Sequence, residues 1–522
     1  MEALNEAAAP PLTALVRQEW TRFRSRGRLI AMVAATLVVI LIGLLLTVVG
    51  NRSSCSEGPV EVPCPTDPVG PRGQAVSDMF YFAHQPLGVN GSITVRMTSM
   101  TGIITYPPPD HDEIVSGLVP WAKAGIIIKD GTAQGSSYAA LMVTGSHGVR
   151  MQYDYVHDIA GSPGKVSAAS PRWLRLTRSG DTITGYESAD GTRWTKVGAA
   201  RLPGLPETVR VGLFTASPGD LTLRRVGLGA GLPESRFTQA TASFDHVSLK
   251  GAAGGEWRHG PVGEMGHTDW ERLHRPPGLV ESNGRLTVTG SGDIAPVPEG
   301  GGHTIEQTLV GLAIGLIIVL VVAARFMTAE YRSGVSGSPP FTGRRLAAKA
   351  LLVGAAAFVV GSVAAAVVVP TGAVLLRAKG LSVVPVSTLT GLRVVVGIGA
   401  VFAVAAVIAL ALGMLLRRGW AAVLVAISTV VLPYLLAVLP LLPDDVARWL
   451  LRLTPAAGFA VQQTVREYPQ VVAHYAPLAG YFPLPWWVGF AILCGYAAVA
   501  LALIAFRLRR QVRASQPPAQ WR

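Results

Sequence analysis

The sequence predicts a membrane α-helical bundle of about six transmembrane helices, with an all-β sandwich domain inserted between the first and second of them. Three observations support this fold class. Half of the 522 residues are hydrophobic, 15% are charged and the mean hydropathy is +0.40, values too apolar for an ordinary soluble protein. The apolar residues are concentrated in six long runs. Residues 51–303, between the first two runs, are instead rich in Gly, Pro, Thr and Ser.

Each of the six apolar runs approaches the roughly 20 residues that a helix needs to cross a bilayer. The first run is too long for the core of a signal peptide and is followed by no small-x-small cleavage site, so we interpret it as a retained anchor. An amphipathic segment precedes it at residues 1–28, and a basic tail ends the chain at residues 508–522. The predicted spans are residues 29–50, 305–325, 350–376, 394–416, 420–442 and 486–506.

The distribution of Lys and Arg predicts the orientation. Basic residues are dense at residues 17–28, 325–349, 417–418 and 507–522, and sparse in the short loops at the other ends of the runs. The positive-inside rule therefore places both termini in the cytoplasm and residues 51–303 outside the cell membrane. Arginines beside anionic headgroups also explain much of the formal charge of +13, so we infer no nucleic-acid partner.

Short β-branched or aromatic runs separated by Gly, Asp and Ser turns predict strands within residues 51–303. The clearest runs are AGIIIKD, YAALMVTG, GVRMQYDYV, RWLRLTR, TITGYES, VRVGLFTAS, FDHVSLK and GRLTVTG. Residues 179–181 and 189–191 predict two tight hairpins. Across about residues 79–250, these runs resemble a concanavalin-like or laminin-G-like jelly roll. That resemblance implies a fold and no single function, since such sandwiches serve as lectins, glycosidases and spacers.

Four aromatic residues of this domain are candidates to face a ligand, and aromatic core positions are the alternative interpretation. They are Tyr138, Tyr155, Trp173 and Tyr186. Glycan binding, lipid binding and a structural role all stay open. The paired-carboxylate, triad and HExxH patterns are absent from the sequence, so neither catalysis nor a metal site is predicted.

Cys55 and Cys64 lie in a Pro-rich stretch at the start of this domain. In an oxidising compartment such a pair favours a local disulfide over a metal site.

The sequence also bears on the source of energy for any transport. The cores of the six runs contain no Asp, Glu, His, Lys or Arg, which argues against a proton relay within the membrane. The phosphate-binding pattern G-x-x-x-x-G-K-[ST] is absent as well, so ATP would be hydrolysed by another subunit.

The loop between the second and third runs reads MTAEYRSGVSGSPPFTGRRLAAK over residues 327–349. It resembles the cytoplasmic loop of type-2 ABC exporter permeases, and the segments LTALVRQEW near the N-terminus and LTPAAG before the last run are similar to that class. The resemblance implies a permease that moves a lipophilic or drug-like substrate and is energised by an ABC ATP-binding subunit carrying ATP and Mg²⁺. It further implies a homodimer or a pairing with a second permease.

In that family the N-terminal helix and this loop dock on the ATPase. Pro339 and Pro340 depart from the family pattern, because they forbid a continuous helix. A membrane-anchored glycan-binding surface protein is the alternative function. By resemblance, the docking residues are Glu19, Glu330, Tyr331, Arg332 and Gly334.

Two further elements are predicted. Residues 443–453 form an amphipathic helix on the outer side, capped by an Asp after Pro443. Gly and Ala are dense in residues 351–366 and 397–413, which permits close helix packing.

Overall fold

The computed structural model has two parts, a bundle of helices and a β-sandwich whose strands lie between the second and third helices in the chain. Its order confirms the predicted combination of a helical bundle with an all-β domain. The structure describes residues 11–49, 55–57, 60–62, 67–106, 113–252, 255–263, 276–297, 304–332, 342–379, 381 and 383–514.

Short connections join several consecutive helices of the bundle, whereas the whole β-domain separates α2 (Arg26–Val49) from α3 (Leu312–Arg332). The helices are α1 (Leu12–Phe23), α2 (Arg26–Val49), α3 (Leu312–Arg332), α4 (Gly343–Ala378), α5 (Thr388–Leu416), α6 (Gly419–Val438), α7 (Asp444–Leu453) and α8 (Trp486–Ala514). Among the residues described, six helices are long and apolar enough to cross a membrane by length and composition, namely α2, α3, α4, α5, α6 and α8.

The ends of these helices differ from the predicted spans in several places, and α4 and α5 begin seven and six residues before the predicted 350 and 394. Residues Ile305–Leu309 form a 3₁₀ turn, so α3 begins seven residues after the predicted start at 305. Helix α6 ends at Val438 because Leu439 is extended and precedes a proline. Helix α8 continues to Ala514, so part of the predicted basic tail is helical.

Helix α6 contains a π-helical turn at Ile427–Val431, just before Pro433. Proline has no N–H to donate to the carbonyl of Thr429, and a π turn absorbs this missing bond without ending the helix. The hydroxyl of Thr429 donates to the carbonyl of Val425 at 2.8 Å.

Small residues allow close crossings inside the bundle, as the Gly/Ala-dense segments predict. A Cβ added at Gly361 would lie 3.0 Å from the ring of Phe402, and one at Gly399 would lie 2.9 Å from the carbonyl oxygen of Phe358. Both contacts join α4 to α5, whose facing surfaces are buried. Helix α2 lies at the periphery and leaves Ile30 and Leu41 mostly exposed.

The sandwich contains all of the predicted strand runs and several strands that were not predicted. Its strands are β1 (Cys55–Glu57), β2 (Val60–Val62), β3 (Ser77–Asp78), β4 (Phe80–Thr105), β5 (Ile114–Ser116), β6 (Lys123–Lys129), β7 (Tyr138–Thr144), β8 (Val149–Tyr153), β9 (His157–Ala160), β10 (Arg172–Ser179), β11 (Thr182–Ser188), β12 (Thr195–Arg201), β13 (Val209–Ala216), β14 (Asp220–Val226), β15 (Ala230–Arg236), β16 (Thr238–Ala252), β17 (Arg258–Val262), β18 (Gly278–Ser282), β19 (Arg285–Gly290) and β20 (Ile294–Ala295).

Strand β4 belongs to both sheets. Its first part pairs with β13, which continues through β6, β7, β8 and β9, and its second part pairs with β10, which continues through β11 and β12. Side chains such as Ile126, Leu141 and Leu176 fill the space between the sheets and are fully buried. Both predicted hairpins are present, and Gly180 and Gly191 adopt the positive φ values of +60° and +77° that their turns require.

The β-domain touches the bundle where the β14–β15 hairpin meets the connection between α6 and α7. The backbone N–H of Leu228, at the hairpin turn, donates to the carbonyl of Leu441 at 2.9 Å.

Helix α7 confirms the predicted amphipathic element, but the predicted cap is wrong. Pro443 occupies the N-cap position, and Asp444 and Asp445 lie in the first turn, where their charge favours the N-terminus of the helix.

Candidate functional site

Five charged residues meet at the end of the bundle remote from the β-domain, and we call them the ion-pair cluster. They come from three elements that are distant in sequence, since α1 supplies two, the last turns of α3 supply one and the start of α4 supplies two. The members are Glu19, Arg22, Glu330, Arg345 and Lys349.

Glu19 is the buried centre of the ion-pair cluster, with no side-chain exposure. Its Oε1 lies 2.9 Å from Nε of Arg345 and 3.5 Å from Nη1 of Arg22, and its Oε2 lies 2.9 Å from Nζ of Lys349. A buried carboxylate is tolerated only when cations and hydrogen bonds replace water around it. The two cations from α4 therefore hold α1 in place.

Glu330 shares the same cations from the other side and is partly exposed. Its Oε1 lies 2.9 Å from Nη2 of Arg345, 3.0 Å from Nζ of Lys349 and 3.2 Å from Nη1 of Arg22. Each carboxylate thus contacts all three cations. These ion pairs thereby join the ends of α1, α3 and α4.

An aromatic pair lies beneath these charges. Phe23 on α1 and Phe326 on α3 pack edge to face with ring centroids 5.3 Å apart, and both rings are buried. Nζ of Lys349 lies 4.3 Å from the centroid of Phe326. The ammonium group of Lys349 therefore has a favourable cation–π contact as well as its two carboxylate partners.

Local sequence explains how these side chains converge. Glu19 and Phe23 are four residues apart and share one face of α1, as Arg345 and Lys349 share one face of α4. Helix α4 begins where the Thr342 hydroxyl accepts from the N–H of Arg345 at the N-cap.

The face of α1 that carries Arg17 and Trp20 is open. Trp20 is exposed over about 40% of its surface and Arg17 is exposed beside it, whereas Leu12, exposed to a similar extent, lies at the start of the helix on the side of Glu19. Only Glu19 and Phe23 of this helix are buried. Helix α1 is thus anchored along one edge and presents an apolar and basic surface outward.

The predicted docking residues occupy different positions. Glu19 and Glu330 come together in the ion-pair cluster, where Glu19 is enclosed and holds α1 in position. Tyr331 and Arg332 end α3, but their side chains lie outside the described structure, as does Gly334. The partners Arg345 and Lys349 were not predicted as site residues, although their spacing of four at the start of a helix could have suggested a shared face.

In the β-domain, the prediction that Tyr138 and Tyr155 face a ligand is wrong. Both side chains are buried on the outer face of the β6–β7 sheet, because the chain around Asp78 covers that face. The Tyr155 hydroxyl donates to Asp78 at 2.8 Å, and Nζ of Lys129 lies 2.7 Å from the same carboxylate.

This internal site is buried and charged. Burial and the adjacent Asp78 raise the pKa of Tyr155 well above its ordinary value. Burial lowers the pKa of Lys129, while the Asp78 carboxylate opposes that shift. Lys129, Asp78 and Tyr155 therefore lock the covering segment to the sheet.

Trp173 and Tyr186 lie on the other sheet and are half-buried on its outer face. Trp173 packs edge to face against His246 at 5.4 Å and lies 5.8 Å from the guanidinium carbon of Arg96. Arg96 in turn forms a double hydrogen bond with Asp245, at 2.7 and 2.8 Å. This face is therefore polar and accessible, unlike the one that Tyr138 occupies.

The predicted disulfide cannot be placed. The main chain of Cys55 pairs with that of Val62 in a small hairpin, and Cys64 lies outside the described residues.

No known protein family matches the chain, and no curated protein matches it. Several solved structures resemble a part of it at low identity, and three of them are described next. A protein of unknown function from Saccharomyces cerevisiae is 17% identical, with 39% of this chain and 94% of that chain covered and a TM-score of 0.23. Scytalido-glutamic peptidase is 9% identical, with 41% and 98% covered and a TM-score of 0.27. Peanut lectin is 12% identical, with 33% and 82% covered and a TM-score of 0.18.

Proposed function

We propose that this chain is the membrane-spanning permease subunit of an ATP-driven ABC exporter, with a separate ATP-binding subunit that docks at α1 and the adjoining ends of α3 and α4. The ion-pair cluster is the observation that supports this most directly. It connects an N-terminal helix that lies outside the apolar spans to the two helices whose connecting loop resembles the family's docking loop. In this proposal, a displacement of α1 by the ATP-binding subunit acts on α3 and α4 through ion pairs of about 3 Å.

In this proposal the six apolar helices cross the cell membrane, both termini are cytoplasmic, and the β-domain is extracellular. The arginines gathered at the ends of α2, α3, α5 and α8 on one side of the bundle support that orientation. The ion-pair cluster then lies on the cytoplasmic side of the membrane, where ATP is available.

The docking surface is the open face of α1. Trp20 offers a large apolar side chain and Arg17 a charge, and amphipathic helices of this kind pack readily on a partner's surface. Of the two carboxylates in the ion-pair cluster, that of Glu330 is partly exposed and lies within reach of a partner. Glu19 acts behind this surface by fixing the angle of α1.

The substrate is proposed to be lipophilic or drug-like, and ATP hydrolysis with its Mg²⁺ is assigned to the partner subunit. Two such chains, or this chain and a second permease, would enclose the path. The peripheral position of α2 and the uncharged cores of the spans are consistent with a route bordered by apolar helices.

The first test is association with an ABC ATP-binding subunit co-expressed with this chain. Trp20→Ala removes an exposed contact and leaves the ion-pair cluster intact, and Glu330→Arg reverses the exposed carboxylate. We expect both variants to insert normally and to co-purify several-fold less ATPase than the unmodified chain.

Glu281→Arg is the matched control, because Glu281 is an exposed carboxylate of the β-domain. It should leave co-purification unchanged. Equal recovery of the ATPase with Trp20→Ala and with the control would contradict docking on α1.

A membrane-anchored glycan-binding protein is the second candidate function, and the accessible face that carries Trp173 and Tyr186 favours it. Sugar rings stack on exposed aromatic side chains. Retention of the unmodified chain on immobilised cell-wall polysaccharide, lost in Trp173→Ala, would support this function, and equal retention of both would exclude this face.

A further inference from the structure

The tip of the β14–β15 hairpin lies against the end of the helical bundle. Gly227 and Gly229 flank the tip with positive φ values of +56° and +114°, and both pack on the connection between α6 and α7. A Cβ added at Gly227 would lie 3.0 Å from the carbonyl oxygen of Pro440. The hydrogen bond from Leu228 to Leu441 fixes the tip at this level.

The residue at the tip is apolar and unusually exposed. Leu228 has 76% of its surface accessible, and Leu223 on the adjoining strand has 46%. A hairpin of a soluble domain gains nothing by presenting Leu at its turn, where Asn, Asp and Gly are the usual residues. Exposed apolar side chains of this kind mark a surface that meets another apolar phase.

The tip continues an apolar surface of the bundle. Leu441 and Leu439 are exposed at the end of α6, and α7 presents Val446, Trp449 and Leu453 along one stripe at spacings of three and four residues. Trp449 and Leu453 are each more than half exposed. A Trp beside aliphatic side chains at the end of an apolar helix is typical of the lipid–water interface.

Two cations border this surface, close to its apolar residues. Arg225 precedes the hairpin turn and is exposed, and Arg452 on α7 lies with its guanidinium carbon 5.3 Å from the ring of Trp449. Arginines that flank an apolar stripe match the phosphate groups of lipids. A bilayer supplies both an acyl layer for the apolar side chains and a layer of phosphates for the arginines.

We propose that the β14–β15 hairpin inserts its tip, through Leu228, among the lipids of the outer leaflet, and that with α7 it forms a lipid-contacting collar around the outer end of α6. The ligand is a phospholipid of the bilayer, with acyl carbons against Leu228 and Leu441 and a phosphate near Arg225. This inference rests on the proposed membrane crossing. It makes the β-domain a peripheral membrane-binding element and joins it to the bundle through lipid as well as protein.

The test measures depth in the bilayer by spin labelling of the full chain in lipid nanodiscs. A nitroxide is attached at Leu228→Cys and, in a second variant, at Leu223→Cys, on a Cys494→Ala background, and the signal of that background alone is subtracted. Collision rates with oxygen, which concentrates in lipid, and with a water-soluble nickel chelate are compared. Leu37→Cys on the exposed face of α2 is the lipid reference, and Ser179→Cys in an exposed turn is the aqueous reference.

We expect the ratio of oxygen to nickel collisions at residue 228 to exceed that at Ser179 several-fold and to approach that at Leu37, with residue 223 between the two references. A ratio at residue 228 equal to that at Ser179, while Leu37 reports lipid, would overturn the insertion and leave the membrane crossing intact. A water-like ratio at Leu37 would overturn both.

Discussion

Glu19 shows how one enclosed carboxylate can determine the position of a helix. Removing one partner of a buried ion pair leaves the other charge uncompensated and costs about 3–5 kcal/mol. We therefore predict that Glu19→Ala lowers the free energy of unfolding by at most about that amount, because the buried Lys349 loses one carboxylate at 2.9 Å and keeps the carboxylate of Glu330 at 3.0 Å. Glu330→Ala should cost less, since the Glu330 carboxylate is partly exposed.

The measurement is thermal unfolding of the purified full chain in detergent. The exposed Glu281→Ala variant serves as the control for loss of a surface carboxylate. A melting temperature for Glu19→Ala equal to that of the control would show that the ion-pair cluster contributes little to stability.

His84 in the β-domain gives a pH dependence with a definite sign. Burial, and to a lesser degree Arg210, Arg258 and His259, lower the pKa of His84 from 6.5 to about 4. Between these two values the unfolded chain binds more protons than the folded chain, so stability falls as the pH drops from about 6.5 to 4. At this half-buried position we expect a loss of roughly 1–2 kcal/mol after solvent screening.

Unfolding of the β-domain followed by near-ultraviolet circular dichroism between these pH values would measure the effect. His84→Gln removes the titrating group and should flatten this part of the profile. If stability depends on pH in that variant as steeply as in the unmodified chain, groups other than His84 cause the pH dependence.

At the scale of elements, two glycines of α8 form a natural pair for testing helix packing. A Cβ added at Gly489 would lie 2.2 Å from the backbone oxygen of Ala457, whereas one at Gly495 would have no atom within 4 Å. Gly489→Ala must therefore displace α8 from the 3₁₀ segment Pro455–Gln462, and we predict a loss of about 1–3 kcal/mol. Gly495→Ala should be neutral or slightly stabilising, since Ala favours helix.

Thermal unfolding of the two variants side by side tests this contact. Equal melting temperatures would mean that α8 does not cross the Pro455–Gln462 segment this closely.

Sequence patterns predicted the elements unequally. The spans were predictable because each is a local apolar run, and so were strands such as β6 and β7 that lie between turn residues. Strand β4 was not, because Gly88 and Gly91 interrupt it where it passes from one sheet to the other. Tyr138 and Tyr155 were predicted to face a ligand because alternation along a strand distinguishes the two faces of a sheet. Alternation does not show that Asp78 and its neighbours cover one of these faces.

At the scale of the whole molecule, the proposed orientation predicts which positions are accessible from outside the cell. Ser179→Cys in the β-domain and Ala14→Cys on α1 are both exposed and lie on opposite parts of the molecule. A membrane-impermeant maleimide should label the first in intact cells and the second only after the membrane is permeabilised. Labelling of Ala14→Cys in intact cells would show that the N-terminus lies outside the cell, opposite to the proposed orientation.

The ion-pair cluster could be predicted only in part at this scale. A family-like loop indicated Glu330, and an amphipathic N-terminal segment indicated Glu19, but nothing local shows that the two carboxylates share Arg345. Arg345 is 326 residues from Glu19 in sequence, and only the packing of α1, α3 and α4 brings the three together.

Helix α4 has 36 residues and so extends for about 54 Å, well beyond the roughly 30 Å of a bilayer core. One end holds Arg345 and Lys349, and near the other end Gly372 packs on Thr308, where a Cβ would lie 2.7 Å from the Thr308 methyl group. If α4 moves as one body despite Pro370 within it, its length amplifies small rotations. A tilt of about 10° about its midpoint would carry each end roughly 5 Å, close to one helical turn. A small rotation imposed on the ion-pair cluster would thus arrive at the far side of the molecule as a displacement large enough to change which side chains touch.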